Sequence, residues 1–132
     1  MKKSIETVGI IGGGPSGATL AALLAMKGVD VTIFDDGRRP DLIVGESLIP
    51  SIVPVLRKLG IEERAAAFCQ YKPGVTFTFG DEPKVDFCFE SVNGVLPTYA
   101  YNAPRPALDR LIETRADELG TKRAKVRAKV ER

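Results

Sequence analysis

The chain has 132 residues, of which 44% are hydrophobic and 27% are charged, and its formal net charge is +2. These values are typical of one globular domain with a modest core. The chain contains no histidine, which excludes histidine-based triads, histidine general bases and most zinc sites, and no metal site is predicted. Cys69 and Cys88 have no CxxC partner, which favours two buried, reduced thiols in a cytoplasmic protein over a single disulfide.

The first motif in the chain is a glycine fingerprint between a strand and a helix. An apolar strand, Val8–Ile11, runs into Gly-x-Gly-x-x-Gly, and a helix of small residues, Ala18–Met26, follows. Gly12 permits the tight turn, Gly14 lets backbone amides approach a pyrophosphate, and Gly17 lets the helix pack closely on the strand. The motif therefore predicts a phosphate site at a helix N-terminus.

A second strand, Val29–Phe34, ends in Asp35, 23 residues after Gly12. An acid at this position can accept hydrogen bonds from both ribose hydroxyls, so we expect a βαβ unit that binds FAD or NAD. One alternative is a glycine-rich turn that only packs a helix on a strand. Another is a signal peptide or membrane span in the uncharged run Thr7–Met26, which its five glycines and one proline disfavour.

Two helices and a β-rich segment are predicted next. The first helix runs from Ser51, a candidate cap, to Leu59 and ends at Gly60, with an apolar stripe of Ile52, Val55, Leu56 and Leu59. The second runs from Ile61 to Phe68. Alternating residues in Gly74–Gly80 and Lys84–Glu90 then predict an antiparallel hairpin, joined in the same sheet by a third strand around Leu96–Tyr101.

A last helix is predicted from Pro106 to Leu119, with Gly120 as its C-terminal cap. Arg105 lies between two prolines just before this helix, where a guanidinium suits a phosphate or ribose oxygen. The alternative is a surface arginine that caps a loop.

The end of the chain is strongly basic, with six basic residues and one acid between Thr121 and Arg132. Apolar and charged residues alternate from Ala124 to Val130, and no aromatic residue is interleaved for base stacking. The pattern therefore favours a half-buried strand over a nucleic-acid site. It runs to Arg132 without a terminating turn, so we expect the N-terminal part of a larger protein, or one piece of a split one. Open strand edges also predict self-association, or a second chain that completes the sheet.

Taken in order, these segments resemble the FAD-dependent monooxygenase superfamily and, within it, the flavin-dependent halogenase-like branch. Gly12–Gly17 resembles the FAD fingerprint, and Asp35 stands where the family usually has a ribose-binding glutamate. Gly45–Pro50, followed by Leu56–Ile61, is similar to that branch's Gly-Glu-Ser-x-x-Pro segment and its trailing Leu-Gly helix. The resemblance covers nearly the whole chain.

Two further segments carry the same resemblance. Lys72–Gly80 resembles a Lys-x-Gly-x-x-Phe-x-Trp-Gly stretch of halogenase-like members, with Phe79 in place of the tryptophan. Arg105 and Asp109 fit an Arg-x-x-Phe-Asp pattern, with Leu108 in place of the phenylalanine.

The resemblance implies FAD as the cofactor and a division of roles among these residues. The glycine loop would bind pyrophosphate, Asp35 the ribose and Arg105 a phosphate, while Glu46 and Ser47 would lie along the flavin side. The implied cofactor-binding residues are Gly12, Gly14, Pro15, Ser16, Gly17, Asp35, Glu46, Ser47 and Arg105. Lys72 is the candidate catalytic residue, since the family lysine lies between flavin and substrate and is proposed to handle hypohalous acid. Its alternative is a solvated lysine in a turn.

The expected fold class is α/β, with a Rossmann-like FAD-binding βαβ unit and an inserted antiparallel β segment, incomplete without further chain. Residues 1–132 would form the N-terminal part of an FAD/NAD(P)-binding domain, and about 72–101 its inserted, substrate-side segment. The implied enzyme is an FAD-dependent oxidoreductase of monooxygenase or halogenase type that acts through a flavin C4a-hydroperoxide. The alternatives are a geranylgeranyl-reductase-like FAD reductase and a truncated, non-catalytic nucleotide-binding module. The expected partners are a small-molecule substrate and a flavin reductase or NAD(P)H.

Overall fold

The computed structural model describes residues 5–40, 43–80, 84–92, 94 and 97–131. The chain divides into two compact units: a first unit of Met1–Ile43 with Pro106–Arg132, and a second unit of Val44–Arg105. In chain order the elements are β1 (Thr7–Ile11), α1 (Pro15–Ala25), β2 (Asp30–Phe34), α2 (Ile52–Leu59), α3 (Glu62–Ala66), β3 (Gln70–Lys72), β4 (Gly74–Phe77), β5 (Val85–Cys88), β6 (Ala100–Asn102), α4 (Arg105–Glu118) and β7 (Lys122–Ala124).

The first unit contains a parallel three-stranded sheet in the order β1-β2-β7. The side chains of Ile10, Val31 and Ile33 are buried, and strand alternation puts the neighbouring residues on the other face. Helix α1 contributes small buried residues, Ala18, Ala21 and Ala22, so its backbone can pack close to the sheet. The predicted α/β class with a Rossmann-like βαβ unit is confirmed.

The strand predicted over Ala124–Val130 is wrong. Strand β7 covers Lys122–Ala124, and 125–131 have no regular secondary structure. The reason is the partner strand: Phe34, the last residue of β2, pairs with Ala124, and the Asp35 amide donates to the Ala124 carbonyl at 3.0 Å. Beyond that point β2 offers no further partner, so alternation alone does not make a strand, and Val126 and Val130 are exposed.

In the second unit, the predicted hairpin is confirmed as β4 and β5, which pair antiparallel from Gly74 with Cys88 to Phe77 with Val85. The third strand was predicted in the same sheet, and this is wrong. Strand β6 instead pairs antiparallel with β3, from Gln70 with Asn102 to Lys72 with Ala100.

Three smaller predictions in the second unit are also corrected. The Ser51 side chain does not cap α2, because this residue already has helical φ and ψ, and Gly60 ends the helix at φ +69° as predicted. Val53 is fully buried, whereas Ile52 and Val55 of the predicted stripe are only half-buried. Cys69 and Cys88 are free thiols, but neither is buried as predicted: Cys69 is half-buried, and Cys88, like every residue of β5, is exposed.

A polar network joins helices α2 and α3 to the segment around β6. Glu62 accepts hydrogen bonds from the hydroxyls of Tyr99 and Tyr101, the latter at 3.3 Å, and from Arg57 Nε at 2.7 Å. Burial alone would raise the pKa of Glu62, but these donors outweigh it and hold that pKa below its ordinary value. Burial, together with the Glu62 charge, raises the pKa of Tyr101 to about 12.

In the part of the chain that the structure describes, no helix is both long enough and apolar enough to cross a membrane.

Candidate cofactor-binding site

The turn between β1 and α1 has a geometry that only glycine satisfies. Gly12 has φ of +97°, and its amide donates to the carbonyl of Phe34 at 2.9 Å, which ties the turn to the end of β2. A Cβ at Gly17 would overlap the carbonyl oxygen of Gly12, so helix and turn are in direct contact. These contacts are the close packing that the fingerprint predicts.

Helix α1 begins beside this turn with an open, positively polarised end. Gly14 is the N-cap and Pro15 the first helical residue, and the first helical hydrogen bond runs from the Ala18 amide to the Gly14 carbonyl at 2.9 Å. The amides of Ser16 and Gly17 therefore have no acceptor within the helix, and no described side chain caps it. A Cβ at Gly14 would meet no described atom within 4 Å. This end of the helix is thus free to approach an anion.

Asp35 lies directly opposite the glycine loop. Its carboxylate accepts hydrogen bonds from the amides of Gly13 and Gly37, the latter at 2.7 Å, and from Arg39 Nη1 at 3.0 Å. Burial raises the pKa of this carboxyl, but the bonds from Arg39, Gly37 and Gly13 outweigh burial and leave the pKa below its ordinary value. Asp35 is therefore ionised at neutral pH, and its two oxygens are acceptors of the kind that ribose hydroxyls need.

A cavity of about 400 Å³ opens at the carboxyl ends of the three parallel strands. It is lined by Ile11, Gly12, Gly14, Phe34, Asp35, Asp36, Arg38, Arg39, Val126, Arg127 and Ala128. Nucleotides bind at this edge of open α/β sheets, and the volume is in the range of small-molecule sites. The glycine turn, the open helix N-terminus and the ionised acid thus fit the adenosine and pyrophosphate parts of a dinucleotide.

Two groups of lining residues were missed from the sequence. Arg39 bridges Asp35 and Glu113, with Nη2 donating to Glu113 Oε1 at 2.9 Å. Its partner Glu113 lies 74 residues away, so only the tertiary structure reveals the bridge. Val126–Ala128 line the cavity because they directly follow β7. Their place after a basic strand is a usable signal, but the alternation of apolar and charged residues predicts further strand there.

The second unit brings together two motifs that the sequence left separate. Lys72 is 8% exposed, and its Nζ donates to Ser47 Oγ at 2.7 Å and to the Leu48 carbonyl at 2.8 Å. Nζ also lies 5.6 Å from the centre of the Phe89 ring. The alternative of a solvated turn lysine is wrong, because Lys72 lies in β3 and is buried.

The remaining predicted site residues, Glu46 and Arg105, also lie in the second unit. Arg105 Nη1 donates to the carbonyls of Val44 and Gly45, at 2.8 and 3.5 Å. The Glu46 carbonyl accepts from the Ala103 amide at 2.8 Å, and residue 46 is exposed. Arg105 is the first residue of α4 rather than an extended residue before the helix. Cofactor contacts by these two residues remain predictions.

No group of three or more potential metal ligands occurs among the described residues.

Residues 6–131 match the family model described as "FAD binding domain", in agreement with the nucleotide site described above. The flavin-dependent halogenase armH4 of Armillaria mellea is 32% identical over 117 residues, covering 84% of this chain and 22% of that protein. Tryptophan 2-halogenase of Chondromyces crocatus is 32% identical over 114 residues, covering 86% of this chain and 21% of that protein. The crystal structure of the flavin-dependent halogenase CmlS superposes with a TM-score of 0.79 at 32% identity, covering 92% of this chain and 22% of that one.

The chain thus spans about a fifth of the length of these relatives, at 21–22%. The family match identifies its cofactor as FAD. The chain belongs to the FAD binding domain family of the FAD-dependent monooxygenase superfamily, in which its relatives are flavin-dependent halogenases.

Proposed function

We propose that the chain is the FAD-binding part of a flavin-dependent halogenase, and that Lys72 is a catalytic residue of the whole protein. The observation that carries the proposal is the burial of Lys72 at 8% exposure, with its amine held at 2.7 and 2.8 Å by two oxygens. Burying an ammonium group is costly unless it is hydrogen-bonded, so a buried lysine with fixed partners suits a functional site.

The chain's contribution to cofactor binding follows from the cavity at the carboxyl ends of the strands. The amides at the N-terminus of α1 would bind the pyrophosphate and Asp35 the ribose; the loop residues concerned are Gly12, Gly14, Pro15, Ser16 and Gly17. Bound FAD supplies the two-electron chemistry with oxygen that halide oxidation requires. Arg105 would add positive charge near a phosphate, and Glu46 and Ser47 would lie on the flavin side.

Lys72 would accept the oxidised halogen. With hypobromous acid, for example, a bond forms between the Lys72 nitrogen and bromine while the oxygen–bromine bond breaks. The proton lost from nitrogen joins the hydroxide that leaves, and the second product is water. The burial of Lys72 restricts the access of bulk water to the product.

The predicted partners belong to this proposal. They are a small organic substrate, with the β-rich segment of about 72–101 on the substrate side, and a flavin reductase or NAD(P)H as electron source, in the cytoplasm. A second chain or a second copy would cover the first unit, in which Ile11 and Val126 are 58% and 49% exposed.

The test compares two lysines of the same unit. The chain is supplied with reduced FAD, oxygen and bromide, and any bromamine is trapped with an aryl sulfinate, which replaces bromide on nitrogen and leaves a stable sulfonamide. Peptide mass spectrometry then compares Lys72 with Lys58, an exposed residue of α2. We expect bromide-dependent label on Lys72 ahead of Lys58.

Added hypobromous acid is the matched control, since a diffusing oxidant reaches an exposed amine first and should label Lys58 ahead of Lys72. The Lys72→Met variant should lose the label that depends on reduced FAD. If oxidant generated with FAD labels the two lysines in the same ratio as the added acid, the proposal is wrong.

A further inference from the structure

Lys72 needs acceptors, and the described structure provides two oxygens and one ring. A lysine ammonium has three N–H donors and no acceptor, and its burial is tolerated only when these donors are used. Ser47 Oγ, at 2.7 Å, and the Leu48 carbonyl, at 2.8 Å, take two of them. The Phe89 ring lies 5.6 Å away, within cation–π range. All three groups lie near the amine.

The two oxygens differ in what they can do. The Leu48 carbonyl can only accept, so it serves a nitrogen that donates. The Ser47 hydroxyl can accept from the ammonium, and it can rotate to donate to the lone pair of the neutral amine. Ser47 is therefore the one of these two partners that can keep its bond to Lys72 in both protonation states, including the neutral state in which nitrogen is a nucleophile.

The backbone holds Ser47 in place independently of Lys72. Ser47 forms an antiparallel bridge with Asn102, and the Leu48 amide donates to the Tyr101 carbonyl at 3.0 Å. Strand β6, which contains both of these partners, also pairs with β3, which contains Lys72. One short strand thus fixes both the hydroxyl and the lysine.

From this arrangement we propose that Ser47 is a positioning residue for Lys72, acting on the amine rather than on the cofactor alone. The consequence for halogen transfer rests on the proposed function, but the contact itself does not. Without the Ser47 hydroxyl, Lys72 keeps its hydrogen bond to the Leu48 carbonyl and loses the one to Ser47. Its amine is then held less firmly in place.

The test measures the reactivity of the Lys72 amine without any halogen chemistry. The full chain is treated with limiting acetic anhydride, and peptide mass spectrometry gives the acylation rate of Lys72 relative to Lys58. Loss of one hydrogen bond to a charged group should raise this ratio about tenfold in Ser47→Ala. Ser47→Thr keeps the hydroxyl, and its ratio should stay within about twofold of the wild type. The control Ser51→Ala alters a serine whose side chain caps nothing, so its ratio should not change.

An unchanged ratio in Ser47→Ala, or an equal rise in Ser47→Thr, would overturn the positioning role. If the acylation ratios behave as expected while bromide-dependent label fails to favour Lys72, the positioning role stands and the halogenase proposal falls. If Ser47→Ala unfolds, the circular dichroism spectrum will show it. The comparison of Ser47→Thr with wild type then decides, since a ratio raised tenfold in that folded variant contradicts the proposal.

Discussion

Two glycines of the same loop should respond to alanine in opposite ways, and this pair separates cofactor binding from folding. Gly14 has φ of −66° and ψ of −178°, and an added Cβ meets no described atom within 4 Å. Gly17 lies where a Cβ would overlap the Gly12 carbonyl oxygen, which is backbone and cannot rotate away. We therefore expect Gly14→Ala to fold normally but to bind FAD weakly. We expect Gly17→Ala to be less stable than the wild type.

The magnitudes follow from these environments. Alanine at an N-cap in place of glycine costs at most about 1 kcal/mol. In Gly17→Ala, overpacking against backbone costs about 3 kcal/mol, and the better helix propensity of alanine returns about 1 kcal/mol, so the net loss is about 2 kcal/mol. The loss of a charge-assisted bond from a helix amide to phosphate is about 1.5–3 kcal/mol, which weakens FAD binding by at least about tenfold in Gly14→Ala.

Thermal unfolding followed by circular dichroism measures the loss of stability, and flavin fluorescence titration measures the loss of FAD affinity. For a chain of this size, 2 kcal/mol lowers Tm by roughly 8 °C. If Gly14→Ala binds FAD with wild-type affinity, the open space beside Gly14 is not the phosphate site. If Gly17→Ala keeps the wild-type Tm, helix α1 does not pack on the turn as described.

Gly45→Ala should lower the free energy of unfolding by about 1–3 kcal/mol, because Gly45 has φ of +93° and its Cβ would lie 2.8 Å from Arg105 Nη1. Denaturant titration measures this change in the free energy of unfolding. The control Gly94→Ala should leave that free energy unchanged, because no described atom lies within 4 Å of its added Cβ. Glu62 has a folded-state pKa below 4.5, so its stabilisation is present above that pH and is lost as the pH falls through the folded pKa. In Glu62→Gln, the part of the fall in Tm at acid pH that comes from Glu62 should be absent. A variant whose Tm depends on pH as the wild type does would contradict the reasoning. Tyr101 stabilises the fold fully below pH 10, and this stabilisation is lost as the pH rises towards about 12, so ultraviolet titration should show one phenol with a pKa of about 12.

The nucleotide-binding half of the site was predictable because it depends on local rules. A tight turn, a close helix contact and an acid at a strand end are each fixed by residue type over a short stretch, and Gly12, Gly17 and Asp35 lie as those rules require. The bridge from Arg39 to Glu113 spans 74 residues and depends on where α4 lies, which no local pattern contains.

Strand pairing was less predictable. Alternation of apolar and polar residues indicates that a segment is extended, but it does not indicate which strand is its partner. The alternation predicts a strand around Leu96–Tyr101 in the hairpin sheet, but Tyr101 pairs with Tyr71 of β3. The alternation from Ala124 to Val130 predicts a strand, but β2 ends at Phe34, which pairs with Ala124. In both cases the partner's length and position decided the outcome, and these are properties of the whole fold.

The contact between Ser47 and Lys72 could not be predicted from the two motifs in which these residues lie. Each was assigned a role by resemblance, one along the flavin and the other beside the substrate, and 25 residues separate them. Only β6, paired with Lys72 on β3 and bridged to Ser47, brings the hydroxyl within 2.7 Å of the amine. Ser47, which the resemblance assigns to the flavin side, therefore also contacts the Lys72 amine. A change at Ser47 should consequently alter the chemistry of Lys72 even in protein without FAD.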